Sequence, residues 1–334
     1  MLKKIWLLSI LAVAAVLLSG PSTWGESDFY VIATKGPQGP PGASLNPLQI
    51  ATLRWYEASS NGQFFSVGTN PIGIAFDGAS IWVANSGSNN VTKLRASDGT
   101  SLGTYTVGSN PQPIAFDGAN IWVANALSNN VTKLRASDGA TLGTYAVGTN
   151  PEGIAFDGAN IWVTNYKSNN VTKLRASDGA ALGTYTVGSS PVGIAFDGAN
   201  IWVANGLSNN VTKLRASDGA ALGTYAVGTV ASGIAFDGAN IWVTNYGSNN
   251  VTKLQASDGA ALGTYTVGSG PTGIAFDGAN IWVANYSSNN VTKLRASDGK
   301  VLGTCGAGTY PAAIAFDGAN IWVVNNGSNN VCKR

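Results

Sequence analysis

The apolar residues of this chain come in runs of four to six, each cut off by residues that favour turns. Gly73-Ile-Ala-Phe76 ends at Asp77-Gly78, a hairpin turn signal. Ile81-Trp-Val-Ala84 stops at Asn85, and Val91 to Ala96 alternates until Ser97-Asp98-Gly99. Leu102 to Val107 then ends at Gly108, ahead of Pro111. Short runs rich in β-formers with turn chemistry at each junction predict four strands, A to D, and no helix.

The same unit returns along the chain. Ile-Ala-Phe-Asp-Gly-Ala starts at Ile74, Ile114, Ile154, Ile194, Ile234, Ile274 and Ile314, a constant spacing of 40 residues. Four strands per unit of this length match a propeller blade, whereas leucine-rich or helical repeats carry one strand or none. The last copy supplies strands A, B and C up to Arg334 but no D, while Gln63-Phe-Phe-Ser-Val-Gly68 ahead of the first copy reads as an unmatched D strand. The expectation is an all-β, seven-bladed β-propeller of four-stranded blades, over residues 63–334. Its ring is closed by an N-terminal D strand completing the C-terminal blade, which removes exposed edges.

Trp162-Val-Thr-Asn165 and Trp242-Val-Thr-Asn245 resemble the signature of the YVTN-repeat propellers, with Trp in place of Tyr. The flanking Gly-Ile-Ala-Phe-Asp-Gly and Ser-Asn-Asn-Val-Thr-Lys-Leu agree with that family, which is related in fold to virginiamycin B lyase-like and NHL propellers. The resemblance implies a secreted or surface seven-bladed propeller and specifies no activity, since fold does not fix function.

Ahead of the repeats the chain changes character. Lys3 and Lys4 precede the apolar run Ile5–Leu18, so residues 1–25 read as an export signal or an uncleaved anchor. Residues 26–45 hold a Pro/Gly linker with the short collagen-like stretch Gly36-Pro-Gln-Gly-Pro-Pro-Gly42. In residues 46–62, Asn46-Pro47 opens Leu48–Ala58, a short helix expected to lay Trp55 over the face bearing the C–D turns near the seventh blade. The expected location is secreted, periplasmic or cell surface.

Composition narrows the chemistry. There is no histidine, and the glutamates are Glu26, Glu57 and Glu152 alone. The commonest general base, Ser-His-Asp catalysis and most zinc sites are thereby removed. Virginiamycin B lyase-like enzymes rely on histidine, so nothing catalytic carries over from them. No enzyme, cofactor or metal site is expected. Taking Lys3 and Lys4 from the 19 basic residues leaves 17 against 17 acids, so nucleic acid and anionic membrane are not expected partners.

Repeated polar residues have plain structural readings. Asp77 and its equivalents to Asp317 could ring a cation, but Asp before Gly more simply closes its own turn. Trp82 and its six equivalents are read as packing between blades. Lys93 and Arg95 are read as a solvated outer strand, and Asn90-Val-Thr and its equivalents as surface B–C loops with the glycosylation pattern. Cys305 and Cys332 break the repeat in adjacent blades, a candidate disulfide if their Cα atoms come within about 7 Å.

Differences between the blades gather in the D–A and B–C loops, which alternating strand direction places on one face. Tyr166, Lys167, Tyr246, Tyr286, Tyr310, Leu127, Leu207, Glu152 and Gln112 are the candidate ligand-face residues. Drift among recent duplicates is the competing explanation. Four kinds of role follow: a monomeric binder or scaffold for a protein, glycan or cell-surface polymer; a lectin-like binder with one site per blade; a lyase working without histidine; or a purely structural surface protein.

Overall fold

The computed structural model describes residues 62–334. The expected leader (1–25), linker (26–45) and all but the last residue of the helix and turn (46–62) lie outside them. The described chain forms seven antiparallel sheets of four strands. In the first blade, strand A is Pro71–Phe76, B is Ser80–Asn85, C is Asn90–Arg95 and D is Ser101–Thr106. Blades two to six repeat this order. In the seventh, Gln63–Ser66 lies beside Asn330–Lys333, with Phe64 opposite Cys332 and Phe65 opposite Val331. The closure is as expected.

The core lies between blades rather than within them. Trp82 and Val91 of blade one pack with Ile114, Ile121, Val123 and Leu134 of blade two. The same arrangement recurs at each junction. Tyr105 lies against Trp82 with ring centroids 5.4 Å apart, and Phe65 replaces that tyrosine at the closure, 5.5 Å from Trp322.

The tryptophans also tie the core to the A–B turns. Asp77 Oδ1 accepts the Ala79 and Ser80 N–H groups, while Trp82 Nε1–H donates to Oδ2 at 2.7 Å. These carboxylates are occupied as turn closers and indole acceptors. Burial opposes ionisation at Asp117, Asp157, Asp197, Asp237, Asp277 and Asp317, yet the indole, amide and backbone N–H bonds outweigh it and hold each below its ordinary value.

A carboxylate with a depressed folded pKa contributes stability above its unfolded value, about 3.9, and loses it as pH falls through the folded value. Acid unfolding should therefore be steep and confined to the region below about pH 4, because equivalent groups protonate together. Tryptophan fluorescence against pH measures this. Stability that stays flat from pH 5 down to about 2 would contradict it.

Four expectations need correction. First, Lys93 is not solvated: it is 7% exposed. Its Nζ donates to Ala136 O at 2.6 Å and Ser137 O at 3.2 Å in the next blade, and lies 4.9 Å from the Trp82 ring. Lys333 makes the corresponding bonds to Ala96 and Ser97 across the closure. Only the neighbouring Arg95 is exposed, pairing with Asp98 on the surface. Second, Asn90 starts strand C, half-buried, and its Oδ1 accepts from the buried Asn85 Nδ2 at 2.8 Å. Third, Cys305 and Cys332 stand as free thiols, packed in the cluster between blades six and seven. Fourth, Gln112 and Glu152 belong to strand A rather than to the D–A loop.

Candidate binding site at the channel mouth

Strand A is the innermost of each blade, and its first residues surround a central cavity of about 300 Å³. Small residues let these strands crowd together: a Cβ on Gly153 would fall 2.1 Å from Val192 O of the next blade. The second residue of strand A lines the cavity in every blade. Those residues are Ile72, Gln112, Glu152, Val192, Ser232, Thr272 and Ala312. No two are alike, in a repeat whose strand B reads Ile-Trp-Val in all seven copies.

The surrounding loops vary in side chain but not in backbone. Residue 70 and its equivalents are Asn70, Asn110, Asn150, Ser190, Val230, Gly270 and Tyr310, all at positive φ. Each N–H donates to the Oδ1 of an asparagine in the preceding blade, as Asn110 does to Asn89 at 2.8 Å and Tyr310 to Asn289 at 2.8 Å. Each carbonyl accepts from the first residue of the B–C loop, such as Tyr246 N–H to Val230 O at 2.9 Å. Ser88 Oγ accepts the Thr69 N–H at 2.7 Å. Constant Ser and Asn side chains thus clamp a fixed backbone, and of the variable side chains Ser86 adds one bond to it, its Oγ donating to Asn70 O at 2.7 Å.

Three candidate tyrosines form one strip across blades five to seven. Tyr286 and Tyr310 stack with centroids 4.8 Å apart and planes 14° from parallel. A Cβ on Gly270 would lie 3.0 Å from Tyr246 Cε2, so the absent side chain there lets Tyr246 lean towards the pair. Tyr286 also lines the cavity. Burial, first, and the neighbouring Tyr310 and Tyr246 keep the Tyr286 hydroxyl protonated above its usual range.

The left-handed region suits Gly and Asn but is costly for branched or bulky residues, by roughly 1–2 kcal/mol. Tyr310, at φ +55°, accepts that strain and places its ring on Tyr286. Val230, at φ +54°, carries the same strain without an aromatic contact, and nothing in the structure explains it.

Across the ring stands Glu152. Its Oε1 accepts from Asn150 Nδ2, and burial raises its carboxyl above the ordinary range against that bond. In the adjacent blade the direction is reversed, Gln112 Nε2 donating to Asn110 Oδ1. Of the sequence candidates, the structure joins Tyr246, Tyr286 and Tyr310 in one strip, and brings Gln112, Glu152 and Tyr286 to one cavity. Tyr166, Lys167, Leu127 and Leu207 lie on the B–C loops away from its lining, the two leucines each 67% exposed. Ile72, Val192, Ser232, Thr272 and Ala312 are not among the sequence candidates, although they belong to the same variable repeat column as Gln112 and Glu152.

No protein-family model matches the chain, and no curated protein matches its sequence. In fold it is similar to hydrazine synthase of Kuenenia stuttgartiensis, at 18% identity and TM-score 0.73, over 83% of this chain and 96% of that one. It is also similar to a streptogramin B lyase, at 19% identity and TM-score 0.68, over 81% of this chain and 96% of that one. A third likeness is to a catalytically inactive virginiamycin B lyase from Staphylococcus aureus with quinupristin, at 19% identity and TM-score 0.70, over 81% and 98% of the two chains. At such identities the likeness is one of fold: the chain is a seven-bladed β-propeller.

Proposed function

We propose that the chain is an exported, non-catalytic binding protein of the YVTN-repeat kind, holding one ligand at the channel mouth on its D–A/B–C face. The observation that carries this reading is the ring of seven unlike residues at the cavity within an otherwise repeated frame. Drift would scatter differences over all exposed positions. Here strand D, exposed at alternate residues, stays nearly constant from Leu142-Gly-Thr-Tyr to Leu262-Gly-Thr-Tyr. Unlike residues around one cavity also favour a single site over seven equivalent lectin-like ones. The partner is a protein, glycan or cell-surface polymer presenting a group small enough for the cavity.

Tyr310 supplies a test with two opposed readouts. Tyr310→Asn should raise stability by about 1 kcal/mol, because asparagine tolerates the left-handed backbone. It should weaken ligand capture on glycan arrays and in pull-downs roughly tenfold, and Tyr286→Ala should do the same, since each removes a stacking surface. Thermal melts and titration of the captured ligand give both values. Undiminished capture by both variants would exclude this face.

A further inference from the structure

The cavity is asymmetric in charge as well as shape. Among the residues lining it, Glu152 is the one acid, and no base is present. Lys167, on the B–C loop of the same blade, is exposed and forms no ion pair among the described residues. Glu152 is therefore a half-buried carboxylate with one amide for a partner, a poorly compensated state for an anion.

Its position in the ring is the second observation. From blade three, blade six is reached in three steps one way and blade seven in three steps the other. The stacked Tyr286–Tyr310 pair joins blades six and seven, so it stands diametrically across the mouth from Glu152. Ser232 and Thr272 supply hydroxyls on one side, while Ile72, Val192 and Ala312 supply apolar wall. A carboxylate opposite Tyr286 across a mostly apolar cavity is complementary to a molecule that is cationic at one end and ring-shaped at the other.

We propose that the channel mouth binds a protonated primary amine carried on a ring, with the ammonium at Glu152 and the ring against Tyr286, which Tyr310 backs by stacking. This rests on the channel mouth being the ligand site. The ammonium supplies the positive partner that Glu152 lacks, and the tyrosine faces accept either an aromatic ring or the C–H face of a sugar. Both an aryl-alkylamine and an amino sugar carry this chemistry. The other titratable group lining the cavity, Tyr286, is neutral below its raised range and does not compete for the cation.

Calorimetric titration at pH 7.5 with tyramine, and separately with the glucosamine disaccharide, tests the inference and tells the two sources apart. At least one amine should bind, and its N-acetylated form should bind about tenfold more weakly or worse. Glu152→Gln keeps shape and hydrogen bonding but removes the charge. It should weaken the amine about tenfold, leave the acetylated form unchanged, and melt no lower than wild type. In wild type, the Glu152 carboxyl carbon observed by NMR should titrate about one pH unit lower with amine bound, matching that tenfold change.

Equal binding of amine and acetylated amine, or an unaffected Glu152→Gln variant, would overturn the amine assignment; so would no binding of either amine at about 10 mM. If Tyr286→Ala still weakens capture when Glu152→Gln does not, the binding face stands and only the amine inference fails. If neither variant changes capture, both fall.

Discussion

Trp202→Ala will destabilise the propeller by about 3–5 kcal/mol and lower its thermal midpoint on the order of 10 °C. Trp202 is fully buried and packs with Ile234, Ile241, Val243 and Leu254 of the next blade. Truncation opens a cavity there and also strands its polar neighbours. Asp197 Oδ2 loses the indole N–H it holds at 2.7 Å, and Lys213 Nζ loses the ring 4.8 Å beneath it. Trp202→Phe separates the contributions, since it keeps most of the apolar volume and removes the N–H. A loss of about 1–3 kcal/mol is expected for that variant, from a half-buried carboxylate left short of a donor. Urea unfolding followed by far-ultraviolet circular dichroism measures both. If the two substitutions are equally harmful, the indole hydrogen bond rather than packing would dominate the seam.

The second large effect is expected at the closure. Deleting Gln63–Ser66 should leave a ring whose last sheet has three strands, with Asn330–Lys333 as an open edge and Trp322 stripped of Phe65. Strand D of every other blade arrives by a short turn from its own strand C. Here the two partners are the far ends of the described chain, so the pairing carries the loop-closure entropy of the whole ring. An unpaired edge with Val331 behind it should recruit another copy. The expected outcome is dimers or larger species by light scattering, with faster proteolysis near the seventh blade. Phe65→Ala is the milder version, destabilising by about 3 kcal/mol without removing the ladder. A deletion variant that remains monomeric, with an unaltered melting temperature, would show that the first strand contributes little.

Nearly all of the architecture was legible, because the repeat states each local preference seven times. Asp77-Gly78 had to turn, and Trp82 had to be covered, whatever lay between. The errors fall where a partner sits one blade away. Lys93 reads as a surface residue because alternation shows which way a side chain points but not what covers it. Its acceptors are carbonyls 43 and 44 residues further on. Gln112 and Glu152 were assigned to a loop because the preceding proline reads as a strand breaker. Pro111 and Pro151 are instead the first residues of their strands, where the missing N–H is tolerated. The tyrosine strip is hidden for a similar reason, since Tyr286 comes from a B–C loop and Tyr310 from the following D–A loop. The strain at Tyr310 shows only in its φ, although the Asn and Gly residues in the same repeat column hint at what that backbone prefers.

The asparagine clamp has an evolutionary reading. Asn209 holds the Val230 N–H at 2.8 Å, as Asn169 holds Ser190 and Asn249 holds Gly270, whatever side chain follows. Loop shape is thus inherited separately from loop content. After a duplication, a new copy arrives with a correctly shaped blank already installed, and selection can rewrite its exposed letters without first rescuing the fold. The same separation makes residues 70, 72 and 86 and their equivalents natural positions for a randomised library. Variants drawn from it should retain the framework while exploring the specificities that one asymmetric mouth can offer.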